Sequence, residues 1–191
     1  SNDVCVGIKR SMGTDEEFIY AGKSYRPEEI SSFILTKVVN DAQQMEGTDI
    51  TDVVITCPAY FNEKERNATQ QAGVWAGLNV VGILNEPVAA AFAYGKRTDK
   101  AGNVLVYDLG GGTFDVTVVN IEDDKFREIV TEGVRRLGGS EQWDGAIVQY
   151  LAEAWQQEFG FGDNPLDDAN VLQDLYLKAE QHKEKLTNSY D

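Results

Sequence analysis

The residues best suited to chemistry in this sequence surround three consecutive glycines. Asp108 precedes the glycines at 110–112, Thr113 follows them directly, and Asp115 comes two residues later. A turn without side chains lets an anion approach the backbone N–H groups, and carboxylates can hold a cation that bridges to phosphate. The segment therefore suits a magnesium nucleotide, although a lone run of glycines is also typical of an ordinary β-hairpin turn.

Apolar residues alternate on both sides of these glycines and predict two strands joined by a turn. The alternation leads up to Asp108 and resumes after Thr113, where Asp115 and Thr117 face away from the apolar side. The segment is neither a P-loop nor a dinucleotide fingerprint. No Gly-Lys-Ser/Thr follows the glycines, and a strand stands where those motifs need a helix.

Other charged residues stand at positions that admit both a structural and a chemical role. Glu86 lies where a predicted strand meets a helix, and a carboxylate there favours the helix dipole. Lys9 belongs to a Lys-Arg pair that is as consistent with a solvated surface as with phosphate chemistry. The spacing of Glu180, Lys183 and Thr187 puts them on one face of the last predicted helix, which by itself indicates a solvated face.

Composition and charge bound the class of protein. The chain has 191 residues, 42% of them apolar, and a formal net charge of −15, so it can form a core but is poorly suited to nucleic acid or an anionic membrane. Cys5 and Cys57 do not make a disulfide framework, and Cys57 in an apolar strand is expected to be buried. With no signal peptide or long apolar run, the sequence predicts a cytoplasmic protein.

Strand and helix patterns alternate along the chain and predict an α/β architecture. Pro27 begins a helix with one apolar face, and Gly47 ends it. Asn62 with Glu65 three residues on predicts a capping box for the next helix. The remaining predictions are a hairpin around Gly22, a buried strand over 53–57, a strand over 80–84, a helix over 87–94 that Gly95 ends, a polar linker over 96–102, a strand over 126–131, and helices over 141–159 and 168–186.

Three segments together resemble the 70-kDa heat-shock protein chaperones. Residues 108–115 (DLGGGTFD) are similar to that family's second phosphate-binding turn. Residues 56–69 (TCPAYFNEKERNAT) are similar to its strand-to-helix segment, and residues 77–95 (GLNVVGILNEPVAAAFAYG) to the next strand and helix. The three segments occur in the family's order, and a weaker likeness extends from about Lys9 to Thr187.

The resemblance implies part of the actin-like, ribonuclease-H-like ATPase fold, an α/β architecture with two lobes of mixed sheets flanked by helices. The nucleotide would bind between the lobes. The implied divisions are lobe I over 1–99, with a small peripheral subdomain over 1–26 and core βα units over 27–99, and lobe II over 101–191, with a core hairpin and strand over 101–137 and a helical peripheral part over 138–191.

The resemblance also assigns roles to individual residues. Lys9 matches the family's catalytic lysine, and Glu86 and Asp108 match carboxylates that reach magnesium through water near the γ-phosphate. Thr113 and Asp115 match further catalytic positions, beside the phosphate and a monovalent cation such as potassium. The implied nucleotide contacts are Gly110, Gly111, Gly112, Thr113, Gly138, Gly139, Glu180, Lys183 and Thr187.

The function implied for the parent protein is magnesium-dependent ATP hydrolysis, with ATP and ADP controlling the binding of unfolded or peptide clients through a domain outside this chain. Pro58 and Arg66 match positions that relay the nucleotide state to that domain. A J-domain co-chaperone and a nucleotide-exchange factor are further implied partners, although Gly82 stands where an arginine often binds the J-domain. The sequence begins without methionine and lacks the family's first phosphate turn, so we expect an internal fragment with weak or no activity of its own.

Departures from the family pattern keep two alternatives open. Residues 134–136 (VRR) stand where the family has Asp-Thr-His, and Glu184 replaces an arginine that would stack on adenine. Together with Gly82, these changes favour a non-catalytic interaction module on the same scaffold. The other alternative is another phosphotransferase of the actin-like superfamily, such as a sugar kinase, which the long matches over 56–69 and 77–95 disfavour.

Overall fold

The computed structural model describes residues 5, 7–98, 101–111, 113–123, 125–135, 140–160, 162 and 164–186. By contact the chain divides into two compact units: a first unit of Ser1–Tyr107 with Asp115–Glu132, and a second unit of Asp108–Phe114 with Gly133–Asp191. Helices and strands alternate along the chain from the helix Pro27–Glu46 to the helix Ser140–Phe159, with a run of three strands before the latter, which confirms the predicted α/β class. The lobe boundaries inferred from the resemblance concern the whole protein and stay a prediction.

The first unit begins with a short 3₁₀ turn and a hairpin. The 3₁₀ turn spans Ile8–Ser11, and strands β1 (Phe18–Tyr20) and β2 (Lys23–Tyr25) pair antiparallel. Ala21 and Gly22 have φ of 49° and 76°, the left-handed conformation that a two-residue hairpin turn needs at both central positions. The predicted hairpin around Gly22 is therefore confirmed.

Helix α1 spans Pro27–Glu46, as the sequence predicts. The backbone N–H of Arg26 donates to Oε2 of Glu29 at 2.7 Å, and left-handed Gly47 closes the other end. The apolar face of α1 remains open in the described part of the chain, where Phe33 is 59% exposed.

A parallel βαβ unit follows. It consists of β3 (Asp52–Cys57), α2 (Glu63–Trp75) and β4 (Asn79–Asn85). The capping box that begins α2 is confirmed, because Asn62 and Glu65 exchange hydrogen bonds of 3.1 and 2.7 Å. The prediction that β3 is buried on both faces is wrong. Its residues alternate in exposure, because α2 covers one face of the strand and Val54, on the other, is 57% exposed among the described residues.

Helix α3 spans Glu86–Thr98 and continues past Gly95, so the predicted helix end and the start of the predicted linker are wrong. Gly95 is buried, and a Cβ there would lie 3.0 Å from the Phe126 ring and 3.3 Å from Cδ1 of Ile121. This glycine allows close packing of helix on sheet and does not cap the helix. The rings of Phe92 and Phe126 meet edge to face in the same contact, with centroids 5.0 Å apart.

Three strands form a sheet of order β5-β6-β7: β5 is Gly102–Leu109, β6 is Thr113–Glu122 and β7 is Lys125–Arg135. Their short connections require antiparallel pairing, as the sequence predicts for the glycine hairpin. The buried residues on β6 alternate and are Asp115, Thr117, Val119 and Ile121, so Asp115 and Thr117 lie on the more buried face of this strand.

The second unit contains two long helices. Helix α4 spans Ser140–Phe159 and α5 spans Ala169–Leu186, close to the predicted bounds. Asp168 begins α5, since its Oδ1 accepts from the N–H groups of Asn170 and Val171. In the residues that the structure describes, no helix is long and apolar enough to cross a membrane.

Candidate functional site

The first unit brings Lys9 and Glu86 together. Nζ of Lys9 donates to Oε1 of Glu86 at 2.6 Å, although 77 residues separate them in the sequence. Lys9 lies on the 3₁₀ turn and Glu86 is the first residue of α3, at the end of strand β4. The side chains are 53% and 23% exposed, so both groups remain accessible to a solute. A cation and a carboxylate held this close can bind one phosphate group and the water beside it.

A cavity of about 240 Å³ lies beside this ion pair. Lys9 and Glu86 line it together with apolar residues of α1 such as Leu35, and with Cys57 at the end of β3. Cys57 is buried, as the sequence predicts. Burial raises the pKa of its thiol above 9.0, while the charge of Arg66 lowers it. The thiol is therefore protonated at neutral pH and serves as a small apolar group.

The loop after β3 is held by one side chain. Arg66, on α2, donates from Nε to the carbonyl oxygen of Phe61 at 2.8 Å and from Nη2 to that of Ala59 at 3.1 Å. Pro58, between the strand and these carbonyls, is fully buried. Of the two residues that the resemblance assigns to a relay, Pro58 thus lies in the loop that Arg66 holds from α2.

The glycine turn closes by a backbone hydrogen bond from Gly110 N–H to the carbonyl oxygen of Thr113, at 3.0 Å. One N–H group of the predicted anion cradle is therefore used by the turn itself. Asp108 and Thr113 are half-buried in the second unit, whereas Asp115 is buried on β6 in the first. Gly111 is exposed, and Gly112 lies outside the described residues.

In the second unit Lys183 is paired with a residue that sequence reasoning missed. Its Nζ lies 2.5 Å from Oδ1 of Asp144, and the Asp144 side chain is only 8% exposed. The pair joins α5 to the second turn of α4 across 39 residues, a separation at which the sequence carries no periodic signal. Beside Lys183 an apolar groove of about 310 Å³ runs between Trp143 and Tyr150.

In the part of the chain that the structure describes, the remaining predicted nucleotide contacts do not join the Lys183–Asp144 pair or the groove beside it. Glu180 is exposed on α5. Gly138, Gly139 and Thr187 lie outside the described residues.

Comparison with known proteins agrees with the resemblance. The chain matches the family of Hsp70 proteins over residues 5–191. It is 46% identical over 185 residues to the chaperone protein DnaK of Thermosipho melanesiensis, covering 96% of this chain and 30% of that protein. The DnaK proteins of Thermotoga maritima and Thermosipho africanus are 46% and 44% identical over 187 and 185 residues, with the same coverage.

The chain spans about 30% of the length of these relatives. The part matched corresponds to the family's nucleotide-binding domain, whose actin-like fold agrees with the alternation of helices and strands described above. The family match covers nearly the whole chain, and the chain belongs to the Hsp70 family.

Proposed function

We propose that this chain is part of the nucleotide-binding domain of an ATP-hydrolysing chaperone, and that Lys9 and Glu86 act on the terminal phosphate. The observation that carries the proposal is the 2.6 Å ion pair between Lys9 and Glu86. In the whole protein, nucleotide state would control the binding of unfolded or peptide clients. A J-domain co-chaperone and a nucleotide-exchange factor are the proposed partners, and the cytoplasm is the proposed location.

The chemistry proposed for the two residues follows from their charges. The ammonium of Lys9 stabilises negative charge that develops on a transferring phosphoryl group. The carboxylate of Glu86 accepts a hydrogen bond from the attacking water and orients it. Because Glu86 is 23% exposed and pairs through one oxygen, its carboxylate can take up water without leaving the end of β4.

Glu86 and Asp108 are the residues proposed to face magnesium, because each carries a carboxylate, the kind of oxygen donor that magnesium prefers, and magnesium commonly keeps several waters between itself and such groups. When bound, the ion neutralises phosphate charge. The hydroxyl of Thr113 and the backbone of Gly111, an exposed residue, are the proposed phosphate contacts in the second unit. Asp115, with Thr113, is proposed to hold a monovalent cation such as potassium.

The groove beside Lys183 supports a place for the adenosine. Its volume of about 310 Å³ lies at the lower end of the range for small-molecule sites, roughly 300–1,000 Å³. Trp143 and Tyr150 are 59% and 70% exposed along it and offer flat apolar surfaces to a purine. Lys183 and Glu180 on α5 are the proposed polar contacts.

Calorimetric titration with magnesium-ADP and with a magnesium complex of a non-hydrolysable ATP analogue tests this function. Lys9→Met and Glu86→Gln should each weaken binding of the analogue by roughly 10- to 100-fold, the value of a charged hydrogen bond. Binding of ADP should weaken much less, because ADP lacks the γ-phosphate. Asp108→Ala and Gly111→Val should weaken both ligands. Lys23→Met, an exposed change on β2, is the matched control and should alter neither.

A folded wild-type chain that binds neither nucleotide would contradict the proposal for this chain. If Lys9→Met weakened the binding of ADP and of the analogue equally, Lys9 and Glu86 would not act on the γ-phosphate. Absence of nucleotide binding in the whole protein as well would favour the non-catalytic interaction module.

A further inference from the structure

We propose that Gly13 is the positioning residue for Lys9, because only a residue without a side chain lets the segment that carries Lys9 lie against the backbone of α2. The proposal deepens the function proposed above, in which Lys9 acts on the terminal phosphate. Lys9 belongs to the 3₁₀ turn Ile8–Ser11, and Met12 and Gly13 follow it directly. Whatever fixes Met12 and Gly13 therefore fixes the base of the Lys9 side chain.

Gly13 lies in direct contact with the main chain of another element. A Cβ built on Gly13 would lie 2.8 Å from the backbone nitrogen of Glu65, 2.9 Å from its Cα and 3.0 Å from the carbonyl carbon of Lys64. All three atoms belong to the backbone, so no side-chain rotation can relieve the overlap. Gly13 also has φ of +74°, a conformation that other residues adopt only with strain.

The surface that Gly13 meets is itself fixed. Glu65 is buried in the first turn of α2, and its backbone N–H donates to Oδ1 of Asn62 at 3.1 Å. Its carboxylate accepts from the backbone N–H of Asn62 at 2.7 Å and completes the capping box. A larger residue at position 13 would therefore displace the Lys9 segment and leave α2 in place.

Met12 fixes the other side of the segment. Its side chain is 4% exposed and packs in the cluster formed with Cys57, Phe61, Ala68 and Ala72. Since Met12 is buried and Gly13 is pressed against α2, the segment is held in the position from which Lys9 reaches Glu86 at 2.6 Å. A shift of about 1 Å would carry the pair beyond hydrogen-bond distance.

Gly13→Ala against Gly7→Ala is the decisive comparison. Gly7 has φ of +71°, close to that of Gly13, but among the described residues the nearest atoms to a Cβ there belong to the flexible side chain of Arg10, at 3.6 Å or more. The two variants share the backbone strain and differ in the overlap with α2. The measurement is the acetylation rate of Lys9 in the full chain, obtained by peptide mass spectrometry after brief labelling and divided by the rates at Lys23 and Lys125.

Gly13→Ala should raise the relative rate at Lys9 by roughly two- to five-fold, as expected for release from a partly exposed ion pair, and Gly7→Ala should leave it near the wild-type value. Glu86→Gln gives the rate of the released lysine. The rise in Gly13→Ala should be absent in the Glu86→Gln background, because the pair is already broken there. General loosening of the fold would instead raise the acetylation rate at all lysines, and that rise would persist in the Glu86→Gln background.

A wild-type relative rate in a folded Gly13→Ala chain, or an equal rise in Gly7→Ala, would overturn the proposal. If Gly13→Ala does not fold, Met12→Ala replaces it, since loss of the buried anchor should release Lys9 in the same way, and an unchanged rate would then overturn the proposal. The labelling uses no nucleotide, so it decides the role of Gly13 whether or not the chain binds nucleotide.

Discussion

The guanidinium of Arg66 lies 3.5 Å from the buried sulfur of Cys57. This contact joins the end of β3 to the first turn of α2, and the charges of Glu86 and Lys9 also act on the same thiol. Cys57 thus stands between the ion pair proposed to act on phosphate and the arginine that holds the following loop. The pKa of its thiol therefore responds to both.

Replacing Cys57 with valine should change how stability depends on pH. Burial raises the pKa of the Cys57 thiol in the folded chain above its ordinary 9.0, so above pH 9 the unfolded chain loses its proton first. The stability that this thiol contributes is therefore present below pH 9 and is lost as the pH rises toward the folded pKa. Urea unfolding from pH 7 to 10.5 should show a steeper loss for wild type than for Cys57→Val.

Below pH 9 the difference between the two proteins in free energy of unfolding should be constant. Parallel stability curves through pH 10.5 would show that the thiol ionises equally in both states and would contradict the burial argument.

Arg66→Met should destabilise the first unit by about 2–3 kcal/mol, because two charged hydrogen bonds to the carbonyls of Phe61 and Ala59 are lost. Arg66→Lys should restore only part of this loss, since an ammonium cannot reproduce the planar fork. Chemical denaturation measures the change. Arg127→Met, an exposed change on β7, is the control and should stay within about 0.5 kcal/mol of wild type.

Gly73→Ala should destabilise although alanine favours helices. A Cβ at Gly73 on α2 would lie 2.4 Å from Cγ2 of Val80 and 2.8 Å from Cδ1 of Ile55, on the two strands that α2 covers. Such overpacking costs about 1–3 kcal/mol, against a helix-propensity gain of about 1 kcal/mol. Gly145→Ala on α4 is the matched control, because among the described residues its Cβ meets only the Tyr176 hydroxyl, at 3.3 Å. The midpoint temperature of thermal unfolding should be higher for Gly145→Ala than for Gly73→Ala.

Features set by neighbours in the sequence could be predicted. The Asn62–Glu65 capping box depends on residues three apart, and Pro27 and Gly47 mark the ends of α1 by their own backbone preferences. The resemblance named Lys9 and Glu86 for one site. Their contact across 77 residues is visible only in the structure.

Features set by tertiary packing could not be predicted. Gly95 carries the signal of a helix end, yet α3 continues past it. The position instead accommodates close packing, because Phe126 and Ile121 occupy the space where a side chain would go. Val54 belongs to an apolar strand, but only one face of that strand is covered in the described residues. The partner of Lys183, Asp144, lies on another helix, and no spacing within α5 points to it.

Lys183→Met should lower the free energy of unfolding by about 1–3 kcal/mol, more than the loss of a surface ion pair would. It leaves the Asp144 carboxylate, 8% exposed, without its cation. Lys178→Met is the control on the same helix, because Lys178 pairs with exposed Asp174 at 2.7 Å and such pairs contribute about 0–1 kcal/mol. Urea midpoints measured for both variants decide the point. Equal shifts would mean that the burial of Asp144 does not matter.

Gly82→Arg should be tolerated by the fold and should strengthen binding of a J-domain. Among the described residues, a Cβ at Gly82 meets nothing within 4 Å, so the arginine can extend from β4 with a stability change within about 0.5 kcal/mol. Arginine is enriched among residues that dominate protein interfaces, and a gain of roughly ten-fold in affinity is expected if this is its docking position. Surface plasmon resonance with an isolated J-domain measures it. Gly162→Arg places the same charge at another open position and controls for charge alone, because a J-domain that merely responds to charge on an acidic chain would gain affinity for both variants.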